Sequence, residues 1–202
     1  KKKAVQFYEK ALALHRAGNL SAAEKGYKKS IKTDGSLAEA YNNLADVLSN
    51  GGRLGEAETC YRKLIRLRPG FAGAYFNRGH VLAEMGKLEE AVASYDTAIE
   101  LDPNFVLAHL NRGNAFRDLG KPQEALRNYD EVVRIKPDFA VGHSNRGNVL
   151  RDLGKPQEAL RNYDEAVRIK PDFAEAYSNR GNVLRDLGKP LEAVEDYENA
   201  IR

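Results

Sequence analysis

Apolar residues along this chain recur at spacings of three and four, the period of a helix with one buried face, and the runs are interrupted at regular intervals. The first run of each segment stops at a glycine: Gly18, Gly52, Gly86, Gly120, Gly154 and Gly188. Glycine just past the last periodic residue signals a helix C-terminus, because it enters the left-handed conformation without steric cost. A second apolar run follows and ends near Pro69, Pro103, Pro137 or Pro171, which lack the amide donor needed to extend a helix. The pattern predicts a helix, a tight turn and a second helix running back, many times over. Pro122, Pro156 and Pro190 fall two residues after a glycine and are expected to open the second helix, where a missing donor leaves nothing unpaired. Thr33-Asp34-Gly35-Ser36 stands where later segments have proline and predicts a looser turn. Leu37, Phe71, Phe105, Phe139 and Phe173 precede the next helix and are expected to pack back on it.

The period of these pairs is explicit in one place. The thirty positions from Asn111 to Ala140 read almost the same again from Asn145 to Ala174, 34 residues on, with only Ala115/Val149, Phe116/Leu150 and Val132/Ala166 differing. Copies of one unit at a fixed period are expected to stack, each burying its neighbour's face. The expectation is therefore one array over residues 1–202, with units at 4–37, 38–71, 72–105, 106–139, 140–173 and 174–202, the last truncated. A truncated last unit should leave part of an apolar face open, including Val194 and Ile201, through which copies of the chain could associate.

Composition changes this picture little. Apolar residues make up 42% and charged residues 30%, enough for a continuous core and a solvated surface. The net charge of +3 resides in Lys1, Lys2 and Lys3, too little to steer the chain to nucleic acid or a membrane. No apolar run approaches the ~18 residues of a membrane span. The single cysteine, Cys60, excludes an internal disulfide and leaves the compartment open, with the cytoplasm slightly favoured. No leader is visible, and a start on lysine is what an excised fragment shows.

Candidate chemistry is sparse. Of His15, His80, His109 and His143, only the last two occupy equivalent positions, in adjacent units, a poor arrangement for one metal; they read as aromatic substitutes between helices. Cys60 has no zinc partner nearby, and a lone helical cysteine is usually packing. No cofactor, metal or catalytic group is expected. More suggestive are three polar columns on the first helices: Asn43, Asn77, Asn111, Asn145 and Asn179; then Asn114, Asn148 and Asn182; then Arg117, Arg151 and Arg185. Steps of three keep these columns near one helix face, offset from the packing stripe of Tyr75, Leu82 and their equivalents. Asp118, Asp152 and Asp186 follow the arginines in a last helical turn, where negative charge is unfavourable, and are expected to pair with a neighbouring arginine, including one from an adjacent unit. Arg78, Arg112, Arg146 and Arg180 are expected to lay their stems on apolar surface and bring their heads to a rim.

The spacings resemble the tetratricopeptide repeat. Its aromatic, residue-plus-glycine, large apolar, alanine, aromatic, alanine and proline positions match Tyr75, Arg78-Gly79, Leu82, Ala91, Tyr95, Ala98 and Pro103, and again His143, Arg146-Gly147, Leu150, Ala159, Tyr163, Ala166 and Pro171. The resemblance covers the whole chain. It departs at His109, at His143 and at the arginine column, where the family usually has leucine, as at Leu44. It implies an all-α fold, a right-handed superhelical solenoid of helix-turn-helix units, whose first helices line a concave groove. The asparagine columns would then hold the backbone of an extended protein segment, since each amide both donates and accepts. The arginines would favour acidic side chains. The chaperone-binding carboxylate clamp of the family is not matched, because Asn42, Phe76, Leu110, Ser144 and Ser178 stand where it needs lysine. The asparagine column and the run Ala174 to Asn179 resemble the repeat arm of O-linked N-acetylglucosamine transferases and related bacterial proteins. The expectation is a non-enzymatic scaffold for an extended peptide. Its alternatives are the substrate arm of a larger glycosyltransferase-like enzyme and a self-assembly module.

Overall fold

Glycine and proline punctuate the chain into helices of nearly equal length. The computed structural model describes residues Lys1–Ile201, so the expected end of the last unit at Arg202 lies outside the described residues. Among the described residues there are twelve helices and no strand: α1 (Lys2–Arg16), α2 (Leu20–Thr33), α3 (Ala38–Asn50), α4 (Leu54–Leu67), α5 (Ala72–Glu84), α6 (Leu88–Leu101), α7 (Val106–Asp118), α8 (Pro122–Ile135), α9 (Ala140–Asp152), α10 (Pro156–Ile169), α11 (Ala174–Asp186) and α12 (Pro190–Ile201). The six turn glycines all have φ between 70° and 77°. At the α7–α8 turn, Gly120 N–H donates to the Arg117 carbonyl and Lys121 N–H to the Phe116 carbonyl, both at 2.9 Å. These bonds satisfy carbonyls that the helix end leaves open. Pro122, Pro156 and Pro190 are the first residues of their helices. In the proline-free turn after α2, Asp34 Oδ1 accepts from Ser36 N–H at 3.0 Å and from Ser36 Oγ at 2.6 Å. The Phe71 ring folds back onto the first turn of α5, where a Cβ on Gly73 would lie 3.0 Å from Phe71 Cζ.

The helices pack in chain order within two compact units, Lys1–Pro103 and Asn104–Arg202, each holding three helical pairs. Inside every pair from the third onward, a glycine of the first helix receives a tyrosine of the second. A Cβ at Gly79, Gly113 or Gly147 would lie 2.6, 2.7 or 2.8 Å from the ring of Tyr95, Tyr129 or Tyr163. Those rings are fully buried, each stabilising the fold by about 2 kcal/mol. Tyr163 also shares one apolar cluster with Val183 of the following pair, so the ring serves packing within and between units.

A second device holds successive pairs together on the other side of the first helices. Arg146 Nε donates to Asp130 Oδ1 at 2.6 Å on the preceding pair, and its Nη1 donates to Asn162 Oδ1 at 3.1 Å on its own. Arg180 repeats this with Asp164 at 2.7 Å and with both oxygens of buried Asp196. Arg78 does the same with Glu58 at 3.0 Å and Ser94 at 3.1 Å. Arg78, Arg146 and Arg180, expected at a rim, thus act as clasps between layers, and Arg112 Nε donates to Asn128 Oδ1 at 2.7 Å within its own pair. At the end of the chain, Leu191 and Ile201 are each 86% exposed and Val194 is 53% exposed.

Candidate functional site

The first asparagine column sits half-buried on α3, α5, α7, α9 and α11. Its amides are anchored from behind where a partner is in reach. Asn145 Nδ2 donates to Asn114 Oδ1 at 3.2 Å, and Asn43 Nδ2 donates to the Tyr8 hydroxyl at 3.1 Å. Asn77 lies against the Tyr61 hydroxyl. The side chains of Asn111 and Asn179 bond no other described residue. The Asn43 oxygen is also engaged, accepting from Asn42 Nδ2 at 3.3 Å.

The second column is engaged from within the fold. Tyr129, Tyr163 and Tyr197 donate their hydroxyls to Oδ1 of Asn114, Asn148 and Asn182 at 2.7, 2.8 and 3.0 Å. A buried phenol needs an acceptor, and burial pushes Tyr129 and Tyr163 up to about 12. Asn114, Asn148 and Asn182 therefore orient the tyrosines through their oxygens. In the third column each arginine pairs with the aspartate directly after it, not with one from an adjacent unit. The distances are 3.5 Å for Arg117–Asp118, 3.1 Å for Arg151–Asp152 and 3.0 Å for Arg185–Asp186. The shared helix end brings the two side chains together before any neighbour can reach.

Within Lys1–Pro103 the same face carries different residues. The position occupied by asparagine in the last three units is Asp46 in the second and His80 in the third. Tyr61 donates to Asp46 Oδ1 at 2.7 Å, repeating the tyrosine bond with a carboxylate as acceptor. His15, Asp46, Tyr61, Asn77, His80 and Glu84 line an open cleft of about 570 Å³. Burial pushes the Asp46 carboxyl above the usual carboxylate range, against the opposing pull of the Tyr61 hydrogen bond and of the His15 charge. The asparagine repeat that makes the second column visible in the sequence, at Asn114, Asn148 and Asn182, does not reach this cluster. Asp46 and His80, one period apart in that same column, were the available signal.

The remaining candidates are structural. His109 is buried, and His143 Nε2 lies 2.8 Å from the Pro137 carbonyl oxygen. Cys60 packs in the core beside Leu44 and Leu64, and burial pushes its thiol up to about 11. Among the described residues no group of histidine, cysteine and carboxylate side chains could hold a metal ion. No helix there is long and apolar enough to cross a membrane.

Family comparisons agree with the helical pairs. A profile described as TPR repeat matches residues 79–120, 113–154 and 147–188, and profiles described as tetratricopeptide repeat match residues 38–71 and 60–93. The chain belongs to the tetratricopeptide repeat family. Solved structures of tetratricopeptide proteins share the fold. One from Parabacteroides merdae aligns with a TM-score of 0.86 at 20% identity, over 100% of this chain and 80% of that one. MamA aligns with a TM-score of 0.74 at 22% identity, over 83% of this chain and 91% of that one. YrrB, described as a TPR protein with an unusual peptide-binding site, aligns with a TM-score of 0.70 at 24% identity, over 87% of this chain and 90% of that one. No match was found among curated protein sequences.

Proposed function

We propose that the protein is a non-enzymatic interaction scaffold that holds an extended protein segment against the asparagine-bearing face of its first helices. The observation that carries this reading is the state of the first column. Its amides recur in the second to sixth units, stand half-buried, and in the second half are either unbonded (Asn111, Asn179) or tied back through nitrogen (Asn145), while Asn43 is bonded through both its nitrogen and its oxygen. A tied-back amide offers its oxygen, so it accepts from a peptide N–H without reading the side chain beside it. The nitrogens of Asn114, Asn148 and Asn182 supply donors one step away for peptide carbonyls. Arg117, Arg151 and Arg185 tune side-chain preference weakly, because each is already paired with its aspartate. The YrrB structure is that of a peptide-binding tetratricopeptide protein, which adds weight to a peptide as the ligand class.

The test is the combined replacement of Asn111, Asn145 and Asn179 by alanine. Alanine is the better helix former, so far-UV circular dichroism should be unchanged. Peptides selected on the parent protein from a displayed library of unstructured sequences should bind the variant about tenfold or more weakly by fluorescence anisotropy, given roughly 0.5–1.5 kcal/mol per hydrogen bond. Unchanged affinity would remove the reading.

A further inference from the structure

The Asp46 cleft differs from the rest of the asparagine face in a way that packing does not require. At the equivalent position Asn114, Asn148 and Asn182 accept the tyrosine hydroxyl as neutral amides, at 2.7 to 3.0 Å. Asp46 accepts from Tyr61 at the same 2.7 Å but brings a charge that the hydrogen bond does not need. Its second oxygen has only a long contact of 3.5 Å from Asn42 Nδ2. No lysine or arginine lines the cleft, and none forms an ion pair with Asp46 among the described residues. The three exposed aspartates on the other half's first helices each have an arginine beside them. Glu84, the other carboxylate of the cleft, has only His80 at 3.4 Å. A partly desolvated carboxylate without a cation is costly unless a ligand supplies one.

We infer that the cleft formed by His15, Asp46, Tyr61, Asn77, His80 and Glu84 is a subsite for a cationic side chain, lysine or arginine, of the bound segment. The inference rests on the peptide-scaffold reading and adds a specificity to it. Asp46 takes the ammonium or guanidinium group on the oxygen that Tyr61 leaves open, Glu84 adds a second negative charge at the mouth, and Asn77 holds the adjoining backbone. The volume of about 570 Å³ lies within the range of ligand pockets, with room for a long side chain and part of its backbone. Burial raises the affinity of Asp46 for protons, and a proton there occupies the place a ligand cation would take. His15 from α1, Tyr61 from α4, and His80 and Glu84 from α5 are the titratable groups facing it. Protonation of either histidine or either carboxylate works against a cation, so binding is strongest at neutral pH and above.

The experiment compares two pentapeptides, acetyl-Gly-Gly-Lys-Gly-Gly-amide and the same peptide with norleucine for lysine. Norleucine keeps the apolar stem and loses the charge. Each is titrated into the ¹⁵N-labelled chain and into Asp46→Asn at neutral pH. Asparagine keeps the acceptor for Tyr61, as Asn148 does for Tyr163, so the variant should fold. The lysine peptide is expected to shift the amide signals of Asp46, Asn77 and His80 and to bind at least about fivefold more tightly than the norleucine peptide, about the effect of one charge-assisted hydrogen bond. In Asp46→Asn that preference should vanish. Equal binding of the two peptides, or a preference that survives in Asp46→Asn, overturns the cationic subsite and leaves the backbone reading standing. Absence of any shift with either peptide to about 20 mM overturns both, since even millimolar affinity would be visible there.

Discussion

The second unit of Lys1–Pro103 and the units of Asn104–Arg202 solve the same packing problem with different chemistry. In Lys1–Pro103 the second unit joins its helices through apolar Leu44 and Cys60, part of a core cluster that runs from Ala11 to Val81. In Asn104–Arg202 the equivalent pairs are Arg112 with Asn128, Arg146 with Asn162 and Arg180 with Asp196, and the apolar clusters are smaller. On the asparagine face the contrast is reversed. The second half is neutral or self-paired at its tyrosine acceptors and its arginines, while the first half exposes an unpaired carboxylate to a cleft. Polar groups that are fully partnered serve packing. The one acceptor of the second column that carries a charge without a cation, Asp46, is where the inferred subsite lies.

The sharpest way to break the comparison is at the buried clasp. Arg180→Leu alone strands Asp196 in the interior and should cost about 3–5 kcal/mol, read as a lowered urea midpoint. Adding Asp196→Cys rebuilds the leucine–cysteine pair of the second unit and should recover most of that loss. A mild single variant would mean that the clasp is not what holds α11 to α12. Next comes the glycine–tyrosine contact. Gly147→Ala puts a Cβ 2.8 Å from the Tyr163 ring and should cost about 1–3 kcal/mol in spite of alanine's better helix propensity. Ala45→Gly, at the equivalent place beside Tyr61, should cost only the propensity difference of about 1 kcal/mol. Similar losses at the two sites would show that the second unit packs like the later ones after all.

The smallest effect concerns Asp46 itself. Burial raises its carboxyl above the ordinary value of 3.8, so the folded chain holds that proton more firmly than the unfolded one. Stability associated with this group is greatest below that ordinary value and declines as pH rises through the raised one. Asp46→Asn should therefore melt higher than the parent at neutral pH, and the advantage should shrink as pH falls. Thermal melts across that range check it, and an Asp46→Asn chain that melts lower at neutral pH would contradict the unpaired state of the carboxylate.

Local rules made the helices legible from residues alone. Gly18 through Gly188 state where the first helices end, and Pro122, Pro156 and Pro190 state where later second helices begin, because φ above zero and a missing donor act within one turn. The columns were legible as columns for the same reason. Their partners were not. Whether Asn114 faces outward or serves Tyr129 depends on a ring 15 residues away, and whether Arg146 lies at a rim or bridges to Asp130 depends on how two helical pairs settle. The cleft was hidden for a further reason: His15, Asp46 and His80 come from three units, and no residue type recurs among them at an equivalent position.

The clasp geometry has an implication for length. Arg146 reaches back to Asp130 and Arg180 to Asp164, so the fifth unit brings both an arginine for its predecessor and an aspartate for its successor. A duplicated 34-residue cassette set down between the fourth and fifth units would find a waiting counterpart on either side. Growth by whole cassettes at that junction would demand no new side chain anywhere.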